Sequence, residues 1–152
     1  MKGKWFLVNF CLIVFLSACQ NKEQELYNEV LRVSIDQIIS DRTSNLEYII
    51  LVPESGCPAC LKYARDFMEG NSNNEKYVFI LYNINDLKSQ QIKFKSILYE
   101  GSQFLIDRDN KIAKLGYNLS YPTVLKIDNA GKLLWYEIAS SDNFIIWEKI
   151  KL

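Results

Sequence analysis

The chain has 152 residues, of which 49% are hydrophobic and 24% are charged, and eighteen basic residues balance eighteen acidic ones. This length predicts one folded domain with a substantial core, and the balanced charge lacks the basic excess typical of nucleic-acid-binding proteins. Histidine is absent, which excludes a Cys–His or Ser–His nucleophile pair and a zinc site with histidine ligands. Any chemistry must therefore use cysteine, carboxylate, lysine, tyrosine or backbone groups.

The N-terminus has the pattern of an export signal. Two lysines precede an apolar run that extends to Leu16 and is shorter than the roughly 20 residues that span a membrane. The run ends in Leu16-Ser17-Ala18-Cys19, which resembles the lipobox of bacterial lipoproteins at all four positions. The resemblance implies cleavage before Cys19 and attachment of diacylglycerol, with acyl chains such as palmitate, to the Cys19 sulfur. An ordinary cleaved signal and an uncleaved short anchor are the alternatives.

This reading divides the chain into a signal peptide (1–18), a lipidated tether with an N-terminal helix (19–45) and a folded domain (46–152). The signal contains two basic and no acidic residues, so the mature chain carries a net charge of −2, and we expect membrane contact through the acyl chains alone. Gln20 favours the periplasmic face of the outer membrane by resemblance to proteobacterial sorting, whereas Glu23 and Glu25 leave export to the cell surface open. Only Cys57 and Cys60 then remain as thiols, in an oxidising compartment.

Hydrophobic periodicity predicts the elements of the mature chain. Apolar residues at helical spacing over 25–41 predict a helix that either docks on the domain or holds it off the membrane. Buried strands are predicted at 46–52, 77–83, 123–127 and 133–138, with a hairpin turn at 128–131. Helices are predicted at 57–69 and at 112–115, the second with Gly116 as its C-terminal cap. A further helix is predicted to begin at Asp86 and to carry Ile92, Ile97 and Leu98. The last predicted helix follows a cap at 140–142. The apolar segment 104–106 is not counted as a strand. The order predicts an α/β fold with a mixed central sheet, parallel first and antiparallel later, and helices on both faces.

Cys57-Pro58-Ala59-Cys60 lies where a buried strand meets a helix. Cys57 is expected at the N-terminus of that helix, where free amides and the helix dipole stabilise a thiolate and lower its pKa. Pro58 suits the first helical position. Cys60 can close a disulfide with Cys57 or resolve a mixed disulfide, so we expect the first sulfur to be more exposed and the second more buried. A zinc site completed by carboxylates or another subunit, a copper(I) chaperone and a structural disulfide are the alternatives.

The chain resembles the thioredoxin superfamily, in particular exported thiol–disulfide oxidoreductases of the TlpA/ResA type. The resemblance rests on the strand–CPAC–helix unit, on the stretch from Gly116 to Val124 with its Pro122-Thr123 pair, and on Ile127-Asp128-Asn129-Ala130-Gly131-Lys132. It covers 46–152 and implies a thioredoxin-like fold with an extra N-terminal helix. It also implies dithiol–disulfide exchange by Cys57 and Cys60 with protein substrates and a redox partner protein, and no bound cofactor.

The resemblance further implies that Pro122 is a cis-proline packed against the disulfide. With Tyr121 it would form a groove in which a substrate peptide pairs with the Tyr121 backbone. An ordinary trans proline at the start of an edge strand is the alternative.

Several positions depart from the family pattern. Gly56 replaces an aromatic residue, Leu51 replaces a buried aspartate, and Tyr63 replaces a glutamate that many relatives carry. Glu54 is the nearest acid by sequence and is expected to be solvated, and Lys62 and Arg65 are expected on the solvated helix face.

The sequence is compatible with three functions. They are an anchored oxidoreductase, a non-catalytic lipoprotein serving as an interaction or assembly module with a static disulfide, and a peroxidase, which the missing threonine before Cys57 disfavours.

Overall fold

The computed structural model of the protein describes residues 22–36, 45–89, 103–117 and 120–151. The predicted signal peptide (1–18), the end of the predicted N-terminal helix and the predicted helix positions Ile92, Ile97 and Leu98 lie outside these ranges. Five strands form one sheet in the order β3-β2-β1-β4-β5: β1 Tyr48–Pro53, β2 Tyr77–Tyr82, β3 Phe104–Ile106, β4 Thr123–Ile127 and β5 Leu133–Ile138. The helices are α1 (22–36), α2 Pro58–Gly70, α3 Lys111–Lys114 and α4 Ile146–Lys149, and residues 87–89 are also helical.

The strand register brings distant parts of the sequence to one end of the sheet. β1 runs parallel to β2, with Pro53 opposite Tyr82, and antiparallel to β4, with Leu51 opposite Thr123. The end of β1 and the start of β4 therefore meet. We call this the Cys57 end of the sheet, which also holds the end of β5 at Ile138. The opposite end, with the β4–β5 turn at 128–132, is the hairpin end.

The sheet is covered on both faces, as the sequence predicts. One face packs against α2 and α4, and the other packs against α1 and α3. Every residue of β1 and β2 is buried, which explains why both strands are continuous apolar runs rather than alternating ones. Core residues on the α2 side include Ile50, Phe67, Met68, Phe79 and Trp147, and those on the α1 side include Tyr27, Val30, Ile49, Ile80 and Ile112.

The structure decides between the two roles left open for the N-terminal helix. Tyr27, Val30 and Leu31 are buried against the sheet, so the described part of α1 is docked on the domain rather than extended from it. Among the described residues, no helix is both long and apolar enough to cross a membrane.

Three turn and cap predictions are confirmed. Asp86 accepts a hydrogen bond from the Ser89 N–H at 3.1 Å, as expected of a helix N-cap. Gly116 follows α3 with a φ of +72°. The hairpin turn closes through Gly131 N–H to the Asp128 carbonyl at 2.9 Å.

Two predictions about elements need correction. Segment 104–106 is a strand, paired parallel to β2 with Phe104 opposite Phe79; three residues are too few for periodicity to indicate it. The predicted cap at 140–142 is wrong, because α4 begins at Ile146 and its N-cap residue, Ile145, makes no side-chain cap. Ser140 instead accepts the Asn143 N–H in a turn.

Candidate active site

Cys57 is the N-cap residue of α2, and Pro58 follows at the first helical position. The Cys57 backbone is extended (φ −60°, ψ 111°), and its sulfur accepts a hydrogen bond from the Cys60 N–H at 3.3 Å. One of the amides left free at the start of every helix therefore points at this sulfur. The expected placement of Cys57 at a helix N-terminus is confirmed.

Cys57 and Cys60 are joined in a disulfide, with their Cα atoms 5.3 Å apart. Cys60 is completely buried, whereas Cys57 is partly exposed. This is the predicted asymmetry: a thiol or disulfide from outside can approach the first sulfur, and the second sulfur is sheltered behind it.

A second segment of the chain lies directly against the cysteine pair. The Cys57 N–H donates to the Ser120 carbonyl at 3.0 Å, which brings together two motifs some sixty residues apart in sequence. Ser120 is followed by Tyr121, which is half-buried, and by Pro122, which is buried. Both predicted groove residues thus directly follow the residue that contacts Cys57.

Gly56 makes this approach possible. Its φ is +149°, and a Cβ atom built on it would lie 2.8 Å from the Ser120 Cα, 2.6 Å from the Ser120 carbonyl carbon and closer still to its oxygen. Only glycine tolerates such a backbone conformation and such a contact without strain. The sequence shows Gly56 as a turn residue that replaces an aromatic one, but this close contact with Ser120 depends on tertiary packing. The signal that identifies it is a glycine in a turn that must pass another backbone closely.

The Tyr121–Pro122 peptide bond is trans, since no peptide bond between described residues is cis. The expectation of a cis-proline is therefore wrong. The physical reason is that a bond preceding proline still favours the trans form, by about 0.5–1 kcal/mol. The Pro122 carbonyl accepts the Ala139 N–H at 2.9 Å, which ties this segment to the end of β5.

The charged residues close to the cysteines in sequence are engaged elsewhere. Glu54 accepts a hydrogen bond from the Asn85 N–H, and its own N–H donates to the Tyr82 carbonyl at 3.1 Å, so it joins two loops. Lys62 is exposed and forms an ion pair with Asp66 at 2.6 Å, and this hydrogen bond raises the pKa of Lys62. Leu51 is completely buried among apolar residues. Within the described ranges, no group of three or more acidic or cysteine side chains is arranged to hold a metal ion.

Buried tyrosines support the Cys57 end from the α1 side of the sheet. Tyr117 and Tyr82 are packed with their ring centroids 5.9 Å apart, and Thr123, directly after Pro122, is completely buried. Burial raises the pKa of both phenols well above the ordinary 10.0, although the Thr123 hydroxyl acts in the opposite direction on Tyr117. These rings are core residues.

An apolar surface lies beside the first turns of α2. Tyr63 is 48% exposed and its ring packs 4.4 Å from that of Phe144, next to Ile145, which is 72% exposed. Tyr63 therefore adds exposed apolar area to the helix that begins at the cysteine pair.

A five-stranded mixed sheet flanked by helices, with a Cys-X-X-Cys turn after its first strand, is a thioredoxin-like fold. Several solved structures share it, among them the following two. The chain is 21% identical to the exposed lipoprotein thioredoxin of Streptococcus pneumoniae, over 74% of this chain and 87% of that one, with a TM-score of 0.51. It is 17% identical to a candidate thioredoxin from Neisseria meningitidis, over 74% and 77% of the two chains, with a TM-score of 0.50.

Comparisons of the amino-acid sequence find no match in addition to these solved structures. The chain matches none of the protein-family models with which it was compared, and the same holds for curated protein sequences. The likeness is therefore one of fold.

Proposed function

We propose that this protein is a thiol–disulfide oxidoreductase, anchored through a lipid on Cys19 in the bacterial cell envelope. The observation that carries the proposal is the placement of the Cys57 sulfur. It is partly exposed, accepts an amide hydrogen bond at the start of α2 and is bonded to the buried Cys60.

The arrangement supports a two-step exchange. In the reduced protein, the Cys60 N–H and the α2 dipole stabilise the Cys57 thiolate. This thiolate attacks one sulfur of a substrate disulfide, forms a mixed disulfide and expels the other substrate sulfur as a thiolate. Cys60 then loses its proton to solvent or to that leaving thiolate, attacks the Cys57 sulfur and releases the second substrate thiolate. The protein ends as the Cys57–Cys60 disulfide, and the substrate gains two electrons and two protons. The reverse sequence oxidises a substrate dithiol.

Tyr121 and Pro122 are proposed to form the substrate groove. They follow Ser120, whose carbonyl is hydrogen-bonded to Cys57, so a peptide lying along them would pass the exposed sulfur. An extended peptide can hydrogen-bond to such a segment as an added strand. The substrates are accordingly protein disulfides or dithiols, with a second protein restoring the redox state of the pair.

The proposed anchor is supported by the Leu16-Ser17-Ala18-Cys19 motif and its apolar context. The pneumococcal structure with the same fold is described as an exposed lipoprotein, so a lipid anchor on this fold has a precedent. We favour the periplasmic face of the outer membrane over the inner membrane because Gln20 follows Cys19.

The catalytic proposal is tested by insulin reduction with dithiothreitol as electron source, using a Cys19→Ala form of the mature chain. We expect the parent form to accelerate precipitation of the insulin B chain and Cys57→Ser to be inactive. Ser55→Ala, at an exposed position two residues away, is the matched control and should retain activity. Equal activity of the parent form and Cys57→Ser would disprove the proposal.

A non-catalytic interaction module is the second candidate, and one observation favours it. Leu51 replaces the buried carboxylate that would move a proton to and from Cys60, and it lies in an apolar cluster. A reduction potential below about −300 mV, with no mixed disulfide trapped by Cys60→Ser, would support a static disulfide.

A further inference from the structure

We propose that α1 holds the Cys57 end of the sheet toward the membrane, so that the substrates are disulfides presented close to the bilayer surface. This inference rests on the proposed lipid anchor at Cys19 and assigns a substrate class to the same site.

The first step is that α1 is firmly seated. Tyr27 is 3% exposed and Val30 is completely buried. The Tyr27 ring stacks on Tyr136 of β5 at 3.4 Å between centroids and meets Tyr117 edge-on at 5.5 Å. A helix held by two aromatic contacts and a buried apolar stripe keeps its orientation relative to the sheet.

The second step is the direction in which α1 runs. Near its start, the Tyr27 ring stacks on Tyr136 of β5. Near its end, Ile35 lies against Gly131 in the β4–β5 turn; its Cδ1 would be 3.4 Å from a Cβ at that glycine. The helix therefore runs from the Cys57 end of the sheet to the hairpin end.

The third step places the start of α1 level with the disulfide. Residue 22 precedes Tyr27 by five residues, which is about 7.5 Å of helix. Tyr136 precedes Ile138, the last residue of β5, by two residues, which is about 7 Å of strand. Ile138 pairs with Thr123, next to Pro122, so α1 begins at the level of the segment that contacts Cys57.

The fourth step is the reach of the anchor. Cys19 precedes residue 22 by three residues, which span at most about 11 Å even when fully extended. Acyl chains on Cys19 therefore hold the Cys57 end near the bilayer and leave the hairpin end farthest from it. A bulky soluble protein would reach the Cys57 sulfur less easily than a disulfide borne by a protein in the same membrane.

Energy transfer from two labelled positions to the membrane tests this orientation. The lipidated protein is reconstituted in phosphatidylethanolamine–phosphatidylglycerol vesicles that carry an acceptor on the lipid headgroups. The donor is attached to Cys57 in Cys60→Ser, or to the exposed hairpin end in the variant Cys57→Ser/Cys60→Ser/Asn129→Cys. We expect transfer at least about twofold more efficient from Cys57, because a six-residue strand separates the two ends by about 20 Å. Equal transfer, or more efficient transfer from position 129, would overturn the proposal.

A flexible insertion supplies the matched control. A sixteen-residue Gly-Ser segment, an arbitrary but ample length, placed between Asn21 and Lys22 should abolish the difference between the two labels by uncoupling α1 from the lipid. On vesicles, this variant should reduce insulin about tenfold faster than the protein without the insertion. The two proteins should reduce a small aromatic disulfide at equal rates, because only bulky substrates are sensitive to orientation. Equal rates toward insulin would contradict the proposal.

Labelling with a palmitate analogue distinguishes a failure of the proposed orientation from a failure of the proposed lipid anchor. If Cys19→Ala abolishes incorporation but the two donors give equal transfer, the orientation is wrong and the anchor stands. If the parent protein incorporates no label, both the anchor and the orientation fail.

Discussion

The two ends of the sheet are built in different ways. At the hairpin end, the Asp128 carboxylate accepts the N–H groups of Ala130 and Lys132 at 2.9 and 2.8 Å, and Gly131 supplies the positive φ. All of these residues are neighbours in sequence. At the Cys57 end, the decisive contact joins Cys57 to Ser120. A local turn forms at the hairpin end, whereas the site at the Cys57 end exists only once the sheet has brought two distant segments together.

Gly56→Ala should have the largest effect of the substitutions that test this difference. The methyl group would collide with the Ser120 backbone and the φ of +149° would be strained. We expect a loss of about 3 kcal/mol or more in the free energy of unfolding, measured by urea denaturation with tryptophan fluorescence. Insulin reduction by the folded fraction should fall as well, because Ser120 must move away from Cys57. A loss below 1 kcal/mol would show that the two segments are not tightly packed.

The second-largest effect is expected from alkaline pH, which should lower the free energy of unfolding through the tyrosines at the Cys57 end. Burial raises the pKa of Tyr82 and Tyr117 above 10.0 in the folded protein. Below pH 10 both phenols are protonated in the folded and unfolded states, and their contribution to stability is fully present. Above pH 10 the unfolded chain loses these protons first, so each tyrosine lowers the free energy of unfolding by up to about 1.4 kcal/mol per pH unit.

Tyr117→Phe provides the check. Urea unfolding between pH 8 and 11 should show a shallower decline for this variant than for the parent protein. Identical slopes would mean that Tyr117 does not stay protonated in the folded state over this range.

Gly131→Ala should cost less than Gly56→Ala. The φ of +75° makes alanine unfavourable, but a Cβ would meet only the flexible end of Ile35 at 3.4 Å. We expect a loss of about 1 kcal/mol in the free energy of unfolding and unchanged insulin reduction by the Cys19→Ala form. A loss of stability as large as that of Gly56→Ala would contradict the inference that the backbone is more tightly packed at the Cys57 end than at the hairpin end.

Lys62→Ala should have the smallest effect. Lys62 lies on α2 near the cysteines, yet it is exposed and its ion pair with Asp66 is on the surface. Ion pairs between exposed side chains are screened by solvent and contribute little to stability, so the urea midpoint of unfolding should be almost unchanged and insulin reduction should be unaltered. A clear loss of activity would assign Lys62 a role in exchange.

The contrast between local and long-range contacts at the two ends of the sheet explains which features the sequence could predict. Strands β4 and β5 and the turn at Asp128 are encoded by adjacent residues, and their predicted bounds match the structure. The placement of Cys57 at the start of α2 is equally local, since Pro58 and the preceding strand determine it. The contact between Gly56 and Ser120 and the pairing of the three-residue β3 depend on tertiary packing, which no local pattern shows. The start of α4 differs from its prediction for a similar reason: Ser140 is a residue type typical of helix caps, but its carbonyl accepts the Asn143 N–H in a turn and α4 begins only at Ile146.

The hydrogen bond between Cys57 and Ser120 uses main-chain atoms alone. A change of the side chain at position 120 would therefore leave the acceptor of this hydrogen bond in place. Side-chain substitution alone cannot remove the contact, because the part of Ser120 that meets the Cys57 backbone is common to every amino acid.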